Sequence, residues 1–136
     1  MVQGDVILKF LDDNTDDCIL LSDLYYTSDK FRIHVKKGMT TDGASIPRIL
    51  WTAIGSPFIG KYRKASIIHD ALYRSHALSK KDSDRVFLDI MKSLGVGSIK
   101  RYLIFGGVFT FGWFSYANKS KSEIEDLSQF IEVEIF

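Results

Sequence analysis

Two short segments of this sequence carry the side chains best suited to chemistry. In the first, His69 and Tyr73 stand four positions apart within residues 62–75, whose apolar spacing predicts a helix. Side chains four positions apart project from one helix face and can share a partner. A half-buried histidine is a candidate general base near neutral pH. The competing interpretation is a histidine at the edge of the core that is hydrogen-bonded only for packing.

Asp70 follows His69 in the sequence but projects in a different direction. At about 100° per residue, it lies far from the apolar arc of Ala65, Ile68 and Leu72. The plain interpretation of this position is a solvated charge on the helix.

Asp84, in the second segment, lacks a structural explanation. The run from Ser79 to Asp82 has the form of a capping box, which accounts for Asp82. Asp84 instead lies beside the apolar stripe of the following helix, where an unpaired charge is costly. If the two helices pack as an antiparallel hairpin, His69 and Tyr73 are its candidate partners. A carboxylate in that place would fix the tautomer of the imidazole and raise its basicity.

The composition is that of an ordinary globular protein. The chain has 136 residues, 46% hydrophobic and 26% charged, which is typical of a single domain, residues 1–136, with a buried core. Its net charge of +1 gives no reason to expect a nucleic-acid partner. The single cysteine, Cys18, excludes an internal disulfide and lies in an apolar run that predicts burial. The first apolar run, residues 6–10, is too short for a secretory signal.

The elements that must hold the chemical residues predict an α+β fold. Four apolar or alternating runs are typical of strands, and the last of them could close the same sheet as the others: residues 6–10, 18–21, 31–36 and 130–135. Helical spacing predicts three helices: residues 62–75, a second helix capped at Ser79 and ended by Gly95, and residues 98–117. We therefore expect a small antiparallel sheet packed on about three helices, with His69 and Asp84 on a helical hairpin.

A connection rich in proline and glycine separates the N-terminal strands from the helices. Pro47 and Pro57 lie in residues 38–60, which indicates an ordered irregular loop that is either functional or a simple surface excursion. Arg48 and Trp51 are its candidate substrate-binding residues. Arg48 would meet an anionic group of the substrate or only solvent.

The third predicted helix has an unusual composition. Residues 102–118 carry no charge in seventeen positions and are rich in aromatic side chains. Such a segment is at the lower limit for a membrane span, but a helix that is apolar all round is equally typical of a domain centre. We expect a buried core helix that packs closely through Gly106, Gly107 and Gly112. Contact with a membrane or lipid surface through residues 102–117 is the alternative.

The motifs resemble those of an uncharacterised family of small phage and prophage proteins. The similarity covers residues 30–115 and includes a TDGASxP loop at residues 41–47, an HDxLY helix at residues 69–73 and an xADxxF helix around Asp84. It implies a phage context, in the host cytoplasm or the virion, with virion proteins as partners. It implies no activity.

The helical motifs also resemble, more distantly, the two active-site helices of phospholipase A₂. The string runs Ala65-x-x-x-His69-Asp70-x-x-Tyr73, followed by Asp84-x-x-Phe87. The resemblance implies that His69 is the general base for a water and that Asp70 binds calcium. It also implies that Tyr73 and Asp84 hold the histidine in place.

One departure from phospholipase A₂ concerns calcium. In that family a glycine-rich loop before the aspartate supplies further ligands, whereas residues 51–57 here have no clear G-x-G. Calcium takes six or more oxygen ligands, which one carboxylate cannot supply. Asp42 either contributes to such a site or only caps its own turn.

Three hypotheses about function follow. The first is a phage- or prophage-encoded, metal-assisted hydrolase in which His69 activates water against an ester-type substrate. The second is a non-catalytic phage structural or accessory protein in which the pair His69 and Asp84 only holds the hairpin together. The third is a membrane-associated interaction protein built on residues 102–117.

Overall fold

The chain folds as an α+β protein with two small antiparallel sheets and a group of helices. The structure is a computed structural model that describes residues 1–11, 17–42, 50–52 and 60–136. The strands within these residues are β1 Val2–Gln3, β2 Leu8–Phe10, β3 Cys18–Leu20, β4 Leu24–Thr27, β5 Phe31–Val35, β6 Thr40–Thr41 and β7 Ile131–Ile135. The helices are α1 Arg63–Ser75, α2 Lys80–Ser93, α3 Ser98–Phe111, α4 Trp113–Ala117 and α5 Lys121–Ser128. The predicted fold class is confirmed.

The strands divide into two sheets rather than one. One sheet has the order β1-β4-β5-β7 and the other β2-β3-β6, and every pairing in both is antiparallel. The C-terminal strand β7 lies beside β5, with Ile33 opposite Val133. The predicted pairing is therefore confirmed for residues 31–36 but wrong for the runs 6–10 and 18–21, which lie in the other sheet. The division arises because β6 pairs with β3, with Thr41 opposite Cys18, and so keeps β3 apart from the β4–β5 hairpin. Cys18 is buried, as predicted.

Helix α1 is central to the packing and contacts α2, α4, α5 and β7. For that reason its buried surface is much wider than the predicted arc and includes every residue from Ala65 to Tyr73. One of these is Asp70, which is 1% exposed. The interpretation of Asp70 as a charge in solvent is therefore wrong, because partners surround α1 on several sides.

Helix α2 has the predicted ends. The Ser79 hydroxyl accepts a hydrogen bond from the Asp82 backbone N–H at 3.1 Å. Beyond the last turn, Gly95 has a φ of +78°, a left-handed conformation that glycine adopts without a steric penalty. The Val96 backbone N–H then donates to the Met91 carbonyl at 3.0 Å, as in a glycine-terminated helix. Phe87, on the buried face between these ends, is fully enclosed.

The prediction of a single buried third helix is wrong in two respects. The helix is interrupted at Gly112, which separates α3 from α4. Only Ile104 and Val108 of α3 are buried, because α3 packs against α2 along a single stripe and leaves its other faces exposed. Within the described residues, no helix combines the length and apolar character that a membrane-spanning segment requires.

Candidate functional site

The centre of the site is a contact between helices α1 and α2. His69 Nε2 lies 2.8 Å from Asp84 Oδ1, and both side chains are completely buried. The helices form the expected hairpin, so residues fifteen positions apart in the chain meet across it. We call His69 and Asp84 the dyad.

Two aromatic rings hold the imidazole of the dyad. The Tyr73 hydroxyl donates a hydrogen bond to Asp84 Oδ1, the same oxygen that meets His69. The Tyr73 ring lies beside the imidazole, with centroids 4.0 Å apart, and the Phe87 ring stacks on it at 4.5 Å. The predicted cluster of His69, Tyr73 and Asp84 is thus assembled as one unit, with a stacked ring that restricts the imidazole orientation.

Lys80 is a member of this cluster that the sequence reasoning missed. Its Nζ donates to Asp84 Oδ2 at 2.7 Å and to the carbonyls of Val108 and Phe109 at 3.2 and 3.0 Å. The side chain is 4% exposed. The available signal was its position four residues before Asp84 on a helix, the spacing of a lysine–carboxylate pair. Lys80 also belongs to the run from Ser79 to Asp82. Because the capping pattern already explained that run, the pair with Asp84 was not predicted.

Three aromatic rings surround the Lys80 ammonium group. Their centroids lie 5.9, 5.2 and 5.3 Å from Nζ, for Tyr73, Phe109 and Trp113 respectively. The negative faces of aromatic rings stabilise a cation at such distances. The three rings and the Asp84 carboxylate therefore stabilise this buried ammonium group.

Burial and hydrogen bonding set the protonation states of the dyad. Burial lowers the pKa of His69 below its usual 6.5, although the Asp84 carboxylate opposes that change. Burial raises the pKa of Asp84, but the hydrogen bonds that it accepts from His69, Lys80 and Tyr73 outweigh this and hold the pKa below 3.8. Burial and the neighbouring carboxylate raise the pKa of Tyr73. At neutral pH the cluster holds a neutral imidazole, a carboxylate, an ammonium and a phenol.

These protonation states fix the tautomer of His69. An ionised carboxylate only accepts hydrogen bonds, so His69 Nε2 must carry the proton that points at Asp84. The lone pair of the ring is then on Nδ1, which is the atom able to take a proton from a reacting group. Asp84 can stabilise the imidazolium that such a transfer forms.

Asp70 lies in a separate environment, facing β6 rather than the dyad. Its Oδ2 accepts hydrogen bonds from Thr41 Oγ1 at 2.7 Å and from the Arg74 guanidinium at 3.2 Å. Its Oδ1 is buried and has no hydrogen-bond partner among the residues that the structure describes. Arg74 also donates to the Thr40 carbonyl. Asp70 and Arg74 thus attach α1 to β6.

The described residues do not fit a calcium ion at Asp70. The guanidinium of Arg74 already neutralises this carboxylate and would repel a divalent cation. Asp42 is partly buried and lines a surface cavity of about 410 Å³ together with Thr41 and Arg74. Across the described ranges, no three histidine, cysteine, aspartate or glutamate side chains are grouped as metal ligands.

Only one of the two predicted substrate-binding residues is among those that the structure describes. Arg48 lies outside the described residues. Trp51 is helical and partly buried, and it packs against the edge of the hydrophobic core.

The other two histidines have structural surroundings. His34 Nε2 lies 2.9 Å from Asp23 Oδ2 on the surface of a sheet. His76 ends α1 in a left-handed conformation and stacks on the Tyr116 ring.

The comparisons with known proteins point to an uncharacterised group. Two relatives are 40% and 41% identical to this chain over 78 and 76 residues, and both are uncharacterised proteins of Sinorhizobium fredii (strain NBRC 101917 / NGR234), y4jT and y4iH. The matches cover 57% and 56% of this chain but only 23% and 32% of the relatives, so the chain spans less than a third of their length. No solved structure gives a significant match.

A family assignment comes from a longer match. Residues 18–108, which include α1, α2 and the whole dyad, match the family described as protein of unknown function (DUF1353). This stretch covers more than half of the chain and runs from β3 to the buried part of α3. The chain therefore belongs to the DUF1353 family.

Proposed function

We propose that this protein is a phage- or prophage-encoded hydrolase in which His69 removes a proton from water that attacks an ester-type substrate. The observation that carries the proposal is the bond from His69 Nε2 to Asp84 Oδ1 at 2.8 Å. This bond leaves the ring lone pair on Nδ1 and orients the imidazole. A base held in this way by a carboxylate is the arrangement that activates a nucleophile.

The other residues of the cluster support the same assignment. Tyr73 positions the carboxylate through its hydroxyl, and Lys80 holds the second carboxylate oxygen. Both are positioning residues, because they act on Asp84 rather than on a substrate. The lowered pKa of His69 keeps the imidazole neutral, and only the neutral ring can act as a base.

The phage origin in this proposal comes from the motif resemblance, and calcium has no step in it. Since Arg74 neutralises Asp70, the charge that develops on the ester oxygen must be stabilised by other groups. The water oxygen forms a bond to the ester carbonyl carbon as its proton passes to His69. The bond from that carbon to the alkoxy oxygen then breaks, and His69 returns the proton to the leaving alcohol.

The test is hydrolysis of chromogenic esters with short and long acyl chains, with phospholipids as a second panel. We expect His69→Gln to reduce kcat/KM by roughly 10²–10⁴-fold, the usual contribution of a general base. His34→Gln is the matched control, since it removes a hydrogen-bonded histidine from the sheet and should leave activity unchanged. Equal rates for wild type and His69→Gln would overturn the proposal.

Complete burial of the dyad favours a second candidate function, a non-catalytic phage structural or accessory protein. His69 and Asp84 are both 0% exposed, which is also what a purely structural pair would show. Under this candidate, no ester is hydrolysed by wild type, and His69→Gln only lowers the melting temperature. Hydrolysis that depends on His69 excludes it.

A further inference from the structure

The largest group of exposed apolar side chains lies on α3 and α4. Seven of the fifteen large hydrophobic residues that are exposed in the described chain fall between residues 99 and 114. They are Ile99, Tyr102, Leu103, Phe109, Phe111, Trp113 and Phe114, which together we call the aromatic face. Isolated exposed apolar residues are ordinary, but a contiguous group of this size indicates a contact surface.

The aromatic face is opposite the side of the helix that is fixed to the protein. Ile104 and Val108 are fully buried against the fold, one turn apart. At about 100° per residue, four of the five members on α3 lie within an arc of about 120° on the other side, and only Phe111 lies nearer the buried stripe. Ile99 on α3 is 81% exposed and Phe114 on α4 is 79% exposed. Helix α3 therefore presents an apolar surface outward, and exposed apolar residues continue on α4.

The charged residues within and beside the aromatic face in the sequence have one sign. Residues 90–122 contain five cationic side chains and no carboxylate, although the whole chain has a net charge of only +1. Lys92 precedes the aromatic face in the chain, Lys100 and Arg101 lie between its members Ile99 and Tyr102, and Lys119 and Lys121 follow it. The face also contains Tyr102 and Trp113, residue types that prefer the boundary between water and hydrocarbon.

We propose that the aromatic face binds the surface of an anionic phospholipid bilayer. A helix that lies in the plane of such a surface buries its apolar side below the headgroups, and flanking lysines contact the lipid phosphates. The helix lies on the membrane and does not cross it, in agreement with its length and with its attachment through Ile104 and Val108. The inference is independent of the proposed hydrolase activity.

A second copy of the chain is the competing occupant, and the charges disfavour it. A twofold contact brings the same patch of each subunit together. Two aromatic faces would then oppose two sets of lysines with no carboxylate from residues 90–122 between them. Anionic headgroups instead supply the opposite charge to these cations.

Vesicle flotation tests the proposal with the complete protein. We expect wild type to float with vesicles of phosphatidylcholine mixed with phosphatidylglycerol, and about tenfold less with phosphatidylcholine alone, because the cations lose their partners. Raised salt should weaken the binding in the same direction. The variant Ile99→Ser/Phe114→Ser should bind vesicles about tenfold or more weakly, because it reduces the apolar area that the face buries in the bilayer.

The control variant is Phe136→Ser, which removes a side chain of 65% exposure outside the aromatic face and should float like wild type. Circular dichroism verifies that all variants are folded. Wild type that stays at the bottom with anionic vesicles, or an Ile99→Ser/Phe114→Ser variant that floats normally, would overturn the proposal. A wild-type dimer that becomes a monomer in this variant, with no flotation, would assign the face to a second copy.

Discussion

Lys80 Nζ lies 2.7 Å from Asp84 Oδ2, one helical turn before it on α2, and both side chains are buried. The Lys80 ammonium thus contacts one oxygen of Asp84, while His69 and Tyr73 contact the other. The carboxylate can remain ionised in the core because it accepts hydrogen bonds from His69, Lys80 and Tyr73. For that reason the imidazole can stay neutral and still have an ionised partner.

Replacement of Lys80 by Met should destabilise the fold by about 3–5 kcal/mol, since it leaves an uncompensated buried carboxylate. It should also raise the pKa of His69, because the ammonium lowers that pKa. Denaturant unfolding and NMR titration of the imidazole measure the two effects. The exposed neighbour variant Lys81→Met is the control for both.

A double variant separates the charge effect from lost packing. Lys80→Met combined with Asp84→Asn removes both charges, so its loss of stability should be smaller than the sum of the two single losses. Strict additivity would mean that the two charges do not interact.

Acid should destabilise this protein through His69. The unfolded chain takes up a proton near the ordinary pKa of 6.5, whereas burial holds the folded-state pKa lower. The unfolded state therefore binds more protons just below about pH 6.5, and the free energy of unfolding falls there by at most about 1.4 kcal/mol per pH unit. Asp84 acts in the same direction below its ordinary value of 3.8. Urea unfolding between about pH 7.5 and pH 5.5 measures the slope, which should be smaller in His69→Gln.

Gly112 and Gly106 form a matched pair for substitution by alanine. A Cβ at Gly112 would meet the Val108 carbonyl and would lie 2.8 Å from the Tyr73 hydroxyl, whereas a Cβ at Gly106 meets nothing within 4 Å. Gly112→Ala should therefore destabilise the fold and displace Tyr73 from Asp84. Gly106→Ala should stabilise α3 by up to about 1 kcal/mol, the difference in helix propensity. Thermal melts of both variants test this, and equal shifts would contradict it.

Calcium should leave the melting temperature unchanged, because the Arg74 guanidinium already forms an ion pair with the Asp70 carboxylate. A melt in excess calcium, compared with one in chelator, is the measurement. A rise in wild type that is absent in Asp70→Ala would contradict the expectation and restore Asp70 as a metal ligand. In that case the free energy of unfolding rises with the ratio of the free calcium concentration to the Kd for calcium.

The sequence was most informative where a buried charge demands a partner. Asp84 lies on an apolar stripe and has no capping role, so its contact with His69 could be predicted from electrostatic cost together with the expected helical hairpin. Lys80 was missed because long side chains at a helix start are ordinarily in solvent, and only the tertiary structure shows α3 above it. Likewise β4 was missed, although its buried and exposed residues alternate in Leu24–Thr27.

Periodicity failed for α1 and α3 for related reasons. On α1, polar side chains such as Asp70 are buried because neighbours surround the helix, which a one-faced pattern does not predict. On α3, apolar side chains are exposed because no element among the described residues covers them. Composition alone cannot distinguish a helix that is buried in the core from one whose apolar side chains are exposed.

The three bonds of Lys80 have a consequence for local opening of the fold. Its ammonium donates hydrogen bonds to the carbonyls of Val108 and Phe109 near the end of α3, and it also donates to Asp84 on α2. If α3 separated from α2, the ammonium, two carbonyls and the carboxylate would all lose partners at once. The last turns of α3 and the amides around His69 should then exchange hydrogen with solvent as one cooperative unit.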